Sequence, residues 1–188
     1  MPAKTVSPPR AWIVTAIGKD QPGMVAGVTK ALFQLGCNLE DSSMTRLEGE
    51  FAIMLIFSSV RARTEAAILK AFAPLARRLK LVVRVKPLSR AESRAPKARG
   101  RRCLISVYGA DRPGIVYRVS DALARAGANI HDVHTHRSAN RSPSLYLLLL
   151  EVELPAGRAL SSLQRQLKRV AGRLGVEVTV RPAEAQVL

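Results

Sequence analysis

The chain repeats itself. Gly18-Lys19-Asp20-Gln21-Pro22-Gly23-Met24-Val25 returns as Gly109-Ala110-Asp111-Arg112-Pro113-Gly114-Ile115-Val116, an offset of 91 with five of eight positions identical. At the same offset Gly36-Cys37-Asn38-Leu39-Glu40-Asp41 answers to Gly127-Ala128-Asn129-Ile130-His131-Asp132. Further on the offset is 95, aligning Leu79, Leu81, Val83, Val85 and Pro87 with Leu174, Val176, Val178, Val180 and Pro182. The four extra residues fit best in the polar stretch 138–143, where a turn tolerates insertion. A duplicated sequence folds as copies of one supersecondary unit. The 188 residues therefore divide into two small domains, a choice that length alone leaves open.

Each copy carries the same pattern. Residues 12–17 and 103–108 are short β-type runs that end in Gly and a turn. Val25, Val28, Leu32 and Leu35, matched by Val116, Val119, Leu123 and Ala126, recur at the helical spacing of three and four, and Gly36 or Gly127 stops the helix. Strands are expected over 38–47 and 51–59, and over 129–138 and 145–153. Ile68, Phe72, Leu75 and Leu79, matched by Leu163, Leu167, Val170 and Leu174, predict a second helix. Thr64 is its expected N-cap in the first copy, and Pro74 should kink or interrupt it. A last strand covers 81–86 or 176–181. The order βαββαβ predicts an α+β protein: two tandem ferredoxin-like domains, each an antiparallel sheet with both helices on one face.

The expected organisation is a tail over 1–9, a domain over 10–88, a linker over 89–100 and a second domain over 101–188. The linker region is where charge concentrates. Of a net +16, residues 1–88 supply +7 (13 basic, 6 acidic), 89–102 supply +5 (6 and 1) and 103–188 supply +4 (11 and 7). A basic excess suits an acidic partner, although a solvated surface with a basic linker explains it as well. Cys37 and Cys103 are too few for a disulfide framework, and 1–9 has no apolar run, so a cytoplasmic protein without a membrane segment is expected.

The repeated Gly-x-Asp-x-Pro-Gly lies between strand one and helix one. The first Gly is expected to let the chain leave the strand in a conformation closed to other residues. Asp20 or Asp111 is placed to cap free N–H groups and favour the helix dipole, with Pro in the first turn. Gly23 or Gly114, lacking a side chain, would let a carboxylate reach the first-turn N–H groups. A tight turn with a good cap would account for the same residues.

These residues, with Leu-Gly-Cys-Asn-Leu-Glu-Asp and Ala-Gly-Ala-Asn-Ile-His-Asp, resemble ACT domains over about 11–87 and 102–182. The pairing and length are similar to the glycine cleavage system transcriptional repressor family. The resemblance implies a non-catalytic regulator that binds a small effector, an amino acid, and acts on a protein partner without binding operator DNA directly. It places Asp20, Gly23 and Met24, with Asp111, Gly114 and Ile115, along the effector site. It sets Asn38 and Asn129, with the backbone of Leu39 and Ile130, toward the ligand's amino and carboxylate groups. No cofactor is implied.

Other constellations are thinner. Asp132, His134 and His136 share a strand face and could ligate a metal, but the first copy has Asp41, Ser43 and Thr45 there. Cys37, replaced by Ala128 in the second copy, reads as a small buried residue. No nucleophile triad, zinc-helix motif or phosphate loop is present. An RNA-binding module of the same βαββαβ order would need basic and aromatic residues where Glu48-Gly49-Glu50-Phe51 stands. Two rivals remain: a nucleic-acid-binding module using Arg90, Arg94, Lys97, Arg99, Arg101 and Arg102, and an accessory subunit of an amino-acid metabolic enzyme. Exposed sheet edges would also allow a homo-oligomer.

Overall fold

The first strand of each copy sets the core by alternation. In β1 (Ala11–Lys19), Trp12, Val14 and Ala16 are buried; in its counterpart β5 (Arg101–Ala110), Cys103, Ile105 and Val107 are buried. The computed structural model describes residues 11–89, 100–138 and 144–183; the expected tail 1–9, most of the linker and residues 139–143 of the insertion lie outside them. The chain divides into two compact units, Met1–Ala95 and Pro96–Leu188.

The first unit continues with α1 (Met24–Gln34), β2 (Cys37–Leu47), β3 (Glu50–Ser59), α2 (Glu65–Leu79) and β4 (Val82–Leu88). The second follows the same order with α3 (Ile115–Arg125), β6 (Asn129–Ser138), β7 (Leu145–Leu154), α4 (Leu160–Leu174) and β8 (Val176–Pro182). The sheets run β2-β3-β1-β4 and β6-β7-β5-β8, antiparallel throughout. This is the ferredoxin-like arrangement expected from the repeat.

Register brings the inward residues opposite one another: Trp12 faces Phe57, Val14 faces Leu55, and Ile105 faces Leu150. Both helices of a unit cover that face. Val28, Leu32, Ile68 and Phe72 close the first core, and Val119, Leu123, Leu163 and Leu167 close the second. Burying such a side chain stabilises by about 1.5–3 kcal/mol relative to exposure.

Thr64 caps α2 as expected, its side chain accepting from the Ala67 N–H at 3.2 Å. Pro74 does not interrupt the helix, which runs on to Leu79. Ile68, Phe72 and Leu75 anchor the turns on either side, and the carbonyl deprived of its donor belongs to exposed Lys70.

Candidate functional site

Gly18 and Gly109 lie inside β1 and β5, and neither has positive φ. Their role is close approach, not the strand exit expected of them. A Cβ on Gly18 would stand 2.8 Å from Leu81 Cδ2, and one on Gly109 3.0 Å from Val176 Cα, so the sheet needs bare backbone where the last strand begins.

The turn that follows is built by Pro22 and Gly23. Gly23 has φ 90° and ψ 3°, Gly114 has φ 91° and ψ 4°, and each is the N-cap of its helix. With proline holding φ near about −65°, these angles make a type II turn, which requires positive φ at its second central residue. Pro22 and Pro113 therefore precede the helix and are not in its first turn. The expected caps are also absent: neither helix start receives a side-chain hydrogen bond. Asp20 and Asp111 stand three residues before the N-cap and turn instead to β2 and β6. The Asp20 carboxylate accepts from Arg46 at 3.2 Å, and Asp111 pairs with Arg137 at 3.7 Å.

Two further contacts hold the loop in both copies. The Asp20 N–H donates to the Gly49 carbonyl, and the Asp111 N–H to that of Ser144, each at 2.8 Å. Gln21 Nε2 donates to the Leu79 carbonyl at 3.4 Å, at the end of α2. Arg112 occupies the matching place: its guanidinium lies 3.2 Å from a Cβ position on Gly175, at the end of α4, where cationic charge suits the helix dipole. The Gln21/Arg112 difference thus falls on a structural staple. Arg46 and Arg137 also keep the offset of 91, so the repeat itself marks them as partners of the two aspartates.

What remains is a helix start without a side-chain cap, with room beside its N-cap glycine. No atom lies within 4 Å of a Cβ built on Gly23; at Gly114 the nearest is Arg118 Nε at 3.9 Å. Met24 and Ile115 offer only backbone here, because their side chains are in the core at 2% exposure.

Asn38 and Asn129 are elsewhere. Asn38 pairs with Ser58, which faces Ala11, while the glycine loop follows Lys19 at the other end of β1. Eight residues of strand separate the two rows, roughly 27 Å at about 3.4 Å per residue. Asn129 stands likewise in the row of Arg102, far from Ala110. Within one unit the two repeated motifs do not converge. The second is accounted for locally by a β-bulge between Leu39 and Asp41, repeated between Ile130 and Asp132. The carboxylates of Asp41 and Asp132 each accept the following N–H at 2.8 Å. Both bulges lie on edge strands, where they disturb the ladder that another chain would extend.

The remaining candidates separate. Asp132 and His134 pair at 2.9 Å, and no group of three His, Cys, Asp or Glu among the described residues is arranged to hold a metal. His131, outside that trio, meets Glu153 at 2.9 Å. Arg90, Arg94, Lys97 and Arg99 lie outside the described residues; Arg101 and Arg102 belong to β5, and Arg102 pairs with Glu151 at 2.7 Å. Cys37 is half-buried. Cys103 is fully buried, and burial pushes its thiol pKa up against the opposing pull of Arg101. No helix among the described residues is long and apolar enough to cross a membrane.

The fold and its glycine loops define a tandem pair of βαββαβ modules, each with one open helix start. Comparison places the pair: the family model for the ACT domain matches residues 11–86 and 101–181. The chain belongs to the ACT domain family. It is 38% identical over 60 residues to a UPF0237 protein of Streptococcus mutans, covering 32% of this chain and 68% of that one. It is 37% identical over 54 residues to the glycine cleavage system transcriptional repressor of Escherichia coli, covering 29% of this chain and 28% of the repressor. Among solved structures, an unknown protein from Galdieria sulphuraria superposes with TM-score 0.78 at 25% identity, over 93% of this chain and 99% of the other. A structure described as a candidate glycine cleavage system transcriptional repressor superposes with TM-score 0.72 at 18% identity, over 95% and 99%; at that identity it shows the shared fold.

Proposed function

We propose that this chain is a non-catalytic cytoplasmic regulator whose glycine loops bind an amino acid and whose bound state alters its engagement of a protein partner. The observation that carries this is the pair of open helix starts. Gly23 and Gly114 lack a side-chain cap in both copies, and a Cβ at either would meet nothing closer than Arg118 Nε, 3.9 Å from that of Gly114. Such a terminus directs unsatisfied N–H groups and the positive end of the helix dipole at whatever anion arrives, and an amino acid's carboxylate suits it. The two ACT domains, over 10–88 and 101–188, would be joined by the basic segment 89–100. Partial sequence similarity to a glycine cleavage repressor makes transcriptional control the physiological setting favoured here.

Asp20 and Asp111 then act on the loop and do not face the carboxylate directly, since each is engaged by an arginine. Asn38 and Asn129 could contribute only to a site assembled from two modules, because each stands at the far end of its own sheet. Isothermal titration against the common amino acids is the test. One of them should release or absorb heat and raise the melting temperature; no heat and no shift with any would refute the sensor.

A further inference from the structure

The helix layer of the second unit carries more charge than the glycine loop accounts for. A groove of about 320 Å³ runs between α3 and α4, rimmed by Arg118 and Arg125 on one side and Arg169 and Arg173 on the other. Its floor is small and apolar, Ala122 with Val170. Gln166 fastens the two helices across it, Nε2 donating to the Ala122 carbonyl at 3.0 Å. Asp121 pairs with Arg125 at 2.9 Å, and no carboxylate among the described residues pairs with Arg118, Arg169 or Arg173. Arg165 and Lys168 extend the basic surface along α4. The two helices together carry six basic residues and one acid, whereas residues 103–188 as a whole carry 11 and 7. The rest therefore hold five basic and six acidic groups. With Arg101 and Arg102 of β5 added, the rest of the domain is nearly neutral, so five of its six excess positive charges sit on this layer.

The first unit supplies an internal comparison. Its groove of about 260 Å³ is lined at the corresponding positions by Gly27, Lys30, Gln34, Ala71, Pro74 and Arg78. The fold forms this groove with one arginine in place of four, so the arginine rim is not a requirement of helix packing.

We propose that the α3–α4 groove is the docking surface for an acidic segment of a protein partner; this rests on the reading that the chain acts through such a partner. Guanidinium groups pair carboxylates in a planar, two-pronged geometry that lysine cannot match. Arg118 and Arg125 are separated by about 10 Å of helix rise, and Arg169 and Arg173 by about 6 Å. Carboxylates one turn apart on a helix, about 6 Å, or alternating on an extended strand, about 7 Å, match the Arg169–Arg173 spacing, and two helical turns, about 11 Å, match that of Arg118 and Arg125. A narrow groove with a small-residue floor admits a single polypeptide segment. No aromatic side chain lines it to stack a nucleobase, which single-stranded nucleic acid would need.

The test uses the full chain and a fluorescent poly-glutamate peptide, read by anisotropy at low salt. Replacing Arg125, Arg169 and Arg173 by alanine together, all away from the Gly114 loop, should weaken binding roughly tenfold or more, from three lost charge pairs. Lys30→Ala with Arg78→Ala, in the first unit's groove, should change it less than about twofold. Equal losses from both sets would mean diffuse charge attraction and overturn the site. Absence of peptide binding, or duplex DNA bound more tightly through the same arginines, would overturn the choice of partner. Amino-acid titration of the triple variant separates the two proposals. Retained effector heat with lost peptide binding supports the groove and shows the variant folded, and peptide binding without any effector heat in the parent chain would sink only the sensor.

Discussion

The open loop can be tested by giving its glycines a side chain. In Gly23→Ala with Gly114→Ala, each new Cβ enters clear space, because the nearest atoms lie beyond 4 Å at Gly23 and at 3.9 Å at Gly114. Sterics therefore contribute little, and the cost is backbone strain: at φ 90° and 91° a non-glycine residue loses about 1–2 kcal/mol. For a unit of this size that lowers the melting temperature by about 4–8 °C per kcal/mol. The control is Gly36→Ala with Gly127→Ala. These helix-terminating glycines have φ 65° and 71° and meet nothing closer than Pro155 at 3.5 Å, yet they lie at the opposite end of each unit. Both double variants should lose similar stability by differential scanning calorimetry. Only the first should lose effector affinity, by tenfold or more, since a methyl group before the helix start displaces at least one charge-assisted hydrogen bond worth about 1.5–3 kcal/mol. A destabilised Gly23/Gly114 variant that binds with unchanged affinity would refute the placement of the carboxylate. Unchanged melting in both variants would refute the strained turn.

Gly109→Ala should destabilise the second unit by about 1–3 kcal/mol, because the new Cβ meets the Val176 backbone. Gly18→Ala should cost less, since its closest neighbour is the movable end of Leu81; chemical denaturation of each variant measures the difference. Cys37 should react with a thiol reagent in the native protein and Cys103 only after unfolding. Because the folded thiol of Cys103 is raised above its ordinary value of 9.0, its contribution to stability is complete below that pH and is lost as pH rises toward the folded value. Cys103→Ala should lessen the alkaline loss, read by melting temperature between neutral and alkaline pH.

The architecture was legible because it is written twice. A spacing of three and four at Val28 and Leu32 recurs at Val119 and Leu123, and such agreement between copies excludes chance periodicity. Single residues were harder to read. Glycine serves both positive φ and close approach, and which one Gly18 serves depends on Leu81, a neighbour reached only through sheet pairing. Aspartate before a helix suggests a cap, but the type II turn moves the N-cap to Gly23 and leaves Asp20 to Arg46. The arginine groove was invisible for a similar reason. Arg118 and Arg173 look like ordinary surface charges until α3 and α4 are laid side by side.

The structure also changes what the two repeated motifs can mean. Had the glycine loop and the asparagine met within one module, a single ACT domain could enclose an amino acid at both of its charged ends. They stand at opposite ends of β1, and the asparagine motif is explained by an edge-strand bulge. In the proposed reading the loop alone would take the carboxylate; its geometry is nearly the same in both copies, the turn angles agreeing within a degree. The copies differ one helical turn further on. Gly27 gives way to Arg118, whose Nε lies 3.9 Å from the Cβ position of Gly114 and whose side chain also lines the α3–α4 groove. A carboxylate seated at the second loop would draw that guanidinium toward itself and away from an acidic partner, so the two ligands would compete for one side chain. Were both proposed ligands to bind, each would weaken the other by the same factor, which peptide affinity measured with and without effector would read.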